Sequence, residues 1–221
     1  MTRRSLRSSA LVVVALALAG GACSAAPGAS TPAQATPAPS VAEGNTVCPT
    51  AQPAPLPAGE TRTVTIATAL GSMTLKIEAD LSPIAAGNFV ALGGCGYYDG
   101  VVFHRVATLQ DGTPFVIQGG DPTGTGGGGP GYTIKDEPVT AQYNRGVVAM
   151  GRSSQPDSVG SQFFIVLDDG AREVLASYNT YQIIGRVTAG METADAIWDA
   201  AAGVELPGDP VEMTDVTVSN P

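Results

Sequence analysis

Phe103-His104-Arg105-Val106, Phe115-Val116-Ile117-Gln118-Gly119-Gly120-Asp121 and Gly160-Ser161-Gln162-Phe163-Phe164 are the three stretches that decide how this chain reads. Each sets one or two polar groups among aromatic or branched apolar residues at strand-like spacing. Brought together, they line one shallow apolar pocket with a single cation, Arg105, and two amides, Gln118 and Gln162, at its rim.

The surrounding pattern is mainly β. Thr61–Thr68 alternates around Val64 and Ile66, and Ser72–Glu78 around Met73, Leu75 and Ile77, with Ala69-Leu70-Gly71 as a hairpin link. Ser82 then offers an N-cap and Pro83 a first helical residue, with Ala85, Phe89 and Leu92 at helical spacing before Gly93-Gly94. Further strands are expected at 101–106, 115–118, 146–150, 162–166 and 182–187, and a second helix over Glu192–Ala201. In the last strand, 211–218, the step from Val211 and Met213 to Val216 and Val218 slips register, as a bulge would. The links are too short for parallel crossovers, so an antiparallel sheet of about eight strands with two helices is expected. Such a sheet must close or stack to hide its edges. Periodicity alone leaves barrel and sandwich both open.

The three quoted stretches resemble the signature of the cyclophilin peptidyl-prolyl isomerases, over roughly Thr61 to Ser219. The resemblance implies a closed eight-stranded antiparallel barrel capped by two helices, and prolyl cis–trans isomerisation as the activity. It makes Arg105 the catalytic residue, Phe115, Val116 and Phe164 the proline pocket, and Gln118 and Gln162 the amides that engage substrate backbone. Gly151 stands where the family commonly has alanine beside the peptide groove. Val116 replaces a frequent methionine, Leu175 takes the place of a tryptophan, and Tyr181 that of a histidine. The loss of the tryptophan implies weaker binding of cyclosporin-like ligands with turnover less affected. The glycine-rich run Gly124–Gly131 follows Gly119-Gly120-Asp121 as the family's mobile loop does. It lacks the Lys-Ser/Thr of a phosphate-binding loop. The segment Leu109–Thr113 lengthens the link from arginine to pocket phenylalanine, and is expected to project from the rim.

The first 58 residues read differently. Arg3, Arg4 and Arg7 precede an unbroken Ala/Leu/Val run from Ala10 to Ala19, the pattern of an export signal over residues 1–22. Gly20-Gly21-Ala22-Cys23 resembles a bacterial lipobox with glycine where leucine is usual. Cys23 is the expected lipid anchor; cleavage near Ala19 or Ala22 instead releases the protein. Residues 23–58, rich in Ala, Pro, Ser and Thr, read as a disordered spacer, and 59–221 as the folded domain. Cys48 and Cys95 remain, either bridged or as two free thiols.

Charge narrows the partners. Removing three of 11 basic residues with the signal takes the net charge from −9 to −12, which disfavours nucleic acid. His104 is the only histidine, so a multi-histidine metal site is not expected, nor is any cofactor. The expected protein is a monomer outside the cytoplasmic membrane that acts on proline-containing segments of exported proteins. A non-catalytic proline-binding or holdase module on the same fold is the alternative.

Overall fold

The structure, a computed structural model, describes residues 47–220. The expected signal segment, Cys23 and most of the expected spacer lie outside the described residues.

Alternating apolar residues build the first hairpin. Strands β1 (Thr61–Thr68) and β2 (Gly71–Glu78) pair antiparallel from Thr61↔Glu78 to Thr68↔Gly71. This turns Val64, Ile66, Met73, Leu75 and Ile77 to one face, where all five are fully buried. Six more strands follow: β3 (Arg105–Thr108), β4 (Pro114–Gly119), β5 (Val147–Met150), β6 (Phe163–Val166), β7 (Ile183–Ala189) and β8 (Met213–Ser219). The sheet order is β3-β4-β6-β5-β7-β2-β1-β8, with every recorded pairing antiparallel. The slip expected near Met213 is present, because the β1–β8 register shifts between Ala67, opposite Asp215, and Thr68, opposite Met213.

Three expectations of architecture are corrected. The sheet is an open half-barrel, not a closed barrel, because β3 and β8 are its two outer strands and do not pair with each other. The stretch expected as a strand from Val101 becomes one only at Arg105; before it, Val102 makes isolated bridges to Asp121 and Glu212. The described residues also hold three helices, not two: α1 (Pro83–Gly94), α2 (Ala171–Tyr178) and α3 (Met191–Ala200). The eight-residue α2 buries only Ala171 and Leu175, too sparse a stripe to stand out in sequence. Asn179, at φ 45°, ends it in the left-handed conformation that asparagine tolerates.

The period of two along the central strands divides the apolar residues between two cores. Ile117, Val148, Met150, Phe163, Ile165 and Ile184 join the main core with the inner faces of α1 and α3. Their neighbours Val116, Ala149, Phe164, Val166 and Ile183 turn to the opposite face and pack with Ala171 and Leu175 of α2. Both faces of β6 are therefore buried, which explains its continuous apolar sequence Phe163-Phe164-Ile165-Val166.

Helix α1 begins at Pro83 as expected, but Ser82 makes no side-chain cap bond. The Glu137 carboxylate caps the helix instead, accepting the backbone N–H groups of Ile84 and Ala85 at 2.9 Å each. An anion at this end also suits the helix dipole. The expected spacer ends earlier than Gly59. Leu56 is 5% exposed, its N–H bonds the carbonyl of Pro83 at 2.9 Å, and Gln52 Oε1 accepts the N–H of Lys135 at 3.0 Å. Gly87 makes room for this strap, since a Cβ there would lie 2.4 Å from the Ala54 carbonyl oxygen. Leu56 supplies the apolar anchor that a composition-based reading of the proline-rich stretch overlooks.

Cys48 and Cys95 are joined by a disulfide between the strap and the end of α1, across 47 residues of sequence. A loop of that length restricts the unfolded chain by about 4 kcal/mol in the chain-entropy account. Reduction, or the double change Cys48→Ser with Cys95→Ser, is expected to lower stability by several kcal/mol at most and about 2 at least. The check is the urea midpoint with and without reductant; an unchanged midpoint contradicts it.

Candidate active site

Strand register assembles the site. Arg105 on β3 lies opposite Gln118 on β4, Gln118 opposite Phe164 on β6, Phe164 opposite Ala149 on β5, and Ala149 opposite Ile183 on β7. Residues directly opposite in a ladder share a face. One row thus carries a cation, an amide and an aromatic ring side by side. Two residues before Phe164, Gln162 projects to the same side, and two residues before Gln118, so does Val116.

A cleft of about 280 Å³ opens at the end of the α2-side core. Arg105, Phe115, Val116, Gln118, Gly151, Phe164, Leu175 and Tyr181 all line it, so eight of the nine residues expected to act at the site meet there. Val116, Phe164 and Leu175 are 3%, 4% and 5% exposed, which makes them core and cleft wall at once. Tyr181 stands edge-on to Phe164 with ring centroids 5.4 Å apart and planes at 86°. The ninth residue, Gln162, lines an adjoining groove of about 730 Å³ instead, between the glycine-rich loop and Gly160–Ser161. Gln118 and Gly151 border both spaces. Gly151 keeps the passage wide, because a Cβ there would come within 3.3 Å of Gln162 Cβ.

The polar groups form a directed chain. Arg105 Nη1 donates to Gln118 Oε1 at 3.3 Å, and Gln118 Nε2 donates to Gln162 Oε1 at 2.9 Å. Gln162 Nε2 donates in turn to the carbonyls of Gly126 and Gly128 at 2.9 and 3.0 Å. Beneath the loop, the fully buried Asp121 accepts the N–H groups of Thr123, Thr125, Gly126 and Gly128 and the Thr123 hydroxyl. Only glycine fits at 128, where a Cβ would lie 2.1 Å from Asp121 Oδ1. Burial alone raises the Asp121 pKa, but the donors from Gly128, Thr123 and Gly126 outweigh it and hold the carboxyl at about 2. His104 is 4% exposed and does not line the cleft. Burial pushes its pKa down, Asp121 opposing and Arg105 reinforcing the shift. The added segment Leu109–Thr113 forms a closed turn, with Leu109 N–H bonding the Thr113 carbonyl at 2.8 Å and Asp111 and Gly112 exposed.

Two charged residues at the site escape the sequence reading. Arg152 borders both spaces, but its guanidinium is tied to Asp136 at 2.8 Å and to the carbonyls of Ser153 and Gln155. Glu205 reaches Arg105 from 100 residues away, and no local pattern marks it. Among the described residues there is no group of three or more His, Cys, Asp or Glu placed to hold a metal, and no helix long and apolar enough to cross a membrane.

Residues 63–218 match the family profile described as cyclophilin type peptidyl-prolyl cis-trans isomerase/CLD. The chain is 37% identical over 165 residues to peptidyl-prolyl cis-trans isomerase-like 3 of Dictyostelium discoideum, covering 72% of this chain and 96% of that protein. It is 47% identical over 107 residues, 47% of this chain, to a Streptococcus pyogenes protein named as a bifunctional phosphatase/peptidyl-prolyl cis-trans isomerase; the match spans 22% of that longer protein. A crystal structure of a Cryptosporidium parvum cyclophilin type peptidyl-prolyl cis-trans isomerase superposes with a TM-score of 0.63 at 32% identity, covering 73% of this chain and 99% of that one.

The depressed Asp121 pKa fixes the sign of an acid effect. Its contribution to stability is complete above an unfolded-state value of about 4 and is lost as pH falls toward about 2. Asp121→Asn is expected to flatten that acid limb and to cost roughly 1–3 kcal/mol at neutral pH. Chemical unfolding of both proteins from pH 7 down to 2 checks this; superimposable acid limbs contradict it.

Proposed function

The chain belongs to the cyclophilin-type peptidyl-prolyl cis-trans isomerases, and from that premise we propose that it isomerises X-Pro bonds in exported proteins with Arg105 as the catalytic residue. The barrier to rotation is about 18–20 kcal/mol because amide resonance must break. Midway, the imide nitrogen regains a lone pair. A catalyst therefore needs an apolar slot for the proline ring and a donor aimed at that nitrogen, with no nucleophile, metal or proton relay. The observation that carries this reading is one cleft that joins a guanidinium to Phe115, Val116, Phe164 and Leu175. The planar, charged donors of Arg105 grip the twisted amide harder than either planar isomer. Gln118, and Gln162 in the adjoining groove, orient the peptide backbone, while Gly151 leaves space for it.

The setting is outside the cytoplasm, either anchored at the outer face of a bacterial cell membrane through Cys23 or released. The basic and apolar segments of residues 1–22 support export, and the Cys48–Cys95 bridge supports an oxidising compartment. Folding of exported or envelope proteins is the corresponding role. A module that only binds proline peptides needs no donor directed at the amide, so Arg105 at the cleft favours the enzyme.

Arg105→Ala is expected to slow isomerisation of a proline peptide by roughly 100-fold or more, while peptide binding persists. Exchange spectroscopy on a proline tetrapeptide measures both; an unmutated chain that binds peptide without accelerating exchange returns the reading to a binding module. Leu175→Trp is expected to raise affinity for a cyclosporin-like macrocycle roughly tenfold by adding aromatic wall, with little change in rate. Titration calorimetry decides it, and equal affinities contradict it.

A further inference from the structure

A catalytic arginine on an outer strand has a geometric problem. Its side chain is long and flexible, and β3 has a ladder partner on one side only. Gln118 takes Nη1, but at 3.3 Å, a long hydrogen bond for this pair. That single contact leaves the guanidinium plane free to swing about its stem.

The loop after α3 supplies the missing constraint. Glu205 Oε1 accepts from Arg105 Nε at 2.8 Å and lies 2.7 Å from Nη2. One carboxylate oxygen therefore holds the edge of the guanidinium away from Gln118, and the plane is fixed from both sides. The loop itself is held against β3. Val106 N–H bonds the Glu205 carbonyl at 2.8 Å, on the side of β3 that no strand covers. Val204 N–H bonds the Ala201 carbonyl at 2.9 Å, in a turn whose Ala202 and Gly203 have φ of 50° and 81°. Trp198 Nε1 adds a bond from the end of α3 to the Ala107 carbonyl at 3.3 Å. Successive residues of β3 are thus tied to this segment, while Glu205 keeps its side chain 61% exposed.

We propose that Glu205 is a positioning residue for the isomerase: it locks the Nε–Nη2 edge of Arg105 so that the Nη1 edge stays over Gln118 at the cleft. The inference rests on the reading of Arg105 as the catalytic donor. An exposed ion pair contributes little to stability, so the pair's value lies in orientation. The transition state needs a donor at one place, and a guanidinium that wanders meets that requirement only part of the time.

The test compares unmutated chain, Glu205→Ala, Glu205→Gln and Arg105→Ala by exchange spectroscopy on an uncharged proline tetrapeptide, with thermal unfolding of each. Glu205→Ala is expected to lower kcat roughly tenfold with KM and unfolding midpoint unmoved, because the lost constraint matters where the donor is used. Glu205→Gln keeps an acceptor oxygen without the charge and is expected to fall between. Raising salt, which screens an exposed pair, is expected to slow the unmutated chain and to leave Glu205→Ala unaffected. Unchanged kcat in Glu205→Ala beside a slowed Arg105→Ala overturns this inference and leaves the catalytic reading standing. A loss confined to KM, or one that comes with a lowered midpoint, assigns Glu205 to loop structure and overturns it too. An Arg105→Ala protein as fast as the unmutated chain overturns the underlying reading itself.

Discussion

Ladder register across β3, β4, β6 and β5 is the constraint on which the rest depends. It sets Arg105, Gln118, Phe164 and Ala149 in one row, and a slip of one residue in β4 would send Gln118 inward and Ile117 out. Register is specified strongly here because both faces of the central strands are apolar. A slipped strand would have to exchange residues between two packed cores, not between a core and water. Val116, Phe164 and Leu175 in the wall of the cleft also belong to the second core, so the shape of the cleft is set by core packing.

The polar side of the site is arranged on different terms. Glu205, Arg105, Gln118, Gln162 and the glycine-rich loop form one continuous chain of hydrogen bonds from the α3 loop to the far groove. Asp121 anchors the far end by collecting four backbone donors in a loop of glycines that has few side chains to pack. A buried anion with that many donors stays ionised, because the hydrogen bonds that favour the charged form outweigh the cost of burial. The near end is anchored by an exposed carboxylate, weak as a source of stability but well placed to orient a guanidinium.

Much of this was legible in the sequence because its informative segments are short and local. The alternation in Thr61–Glu78, the slip between Met213 and Val216, and the three stretches around Arg105, Gln118 and Phe164 each carry their meaning within a few residues. The parts that were not legible depend on distant partners. Glu205 meets Arg105 across 100 residues and Glu137 caps α1 across more than 50, whereas the Cys48–Cys95 bridge is one of the two alternatives the sequence leaves open. Composition hides the strap for a related reason. Prolines dominate its composition, and the single buried Leu56 that pins it has no local signature. Openness of the sheet was equally hidden, since strand periodicity is the same at an outer strand as at a closed seam. The short α2 reads as loop because two buried residues make no stripe.

The most direct measurement is a crystal structure of this chain with a proline-containing peptide. The account predicts the proline ring between Phe115, Val116, Phe164 and Leu175, with Arg105 Nη1 within hydrogen-bond reach of the imide nitrogen and Glu205 still on the opposite edge. A peptide seated elsewhere, or one seated in the cleft while the Arg105 guanidinium turns away from the imide, would contradict it.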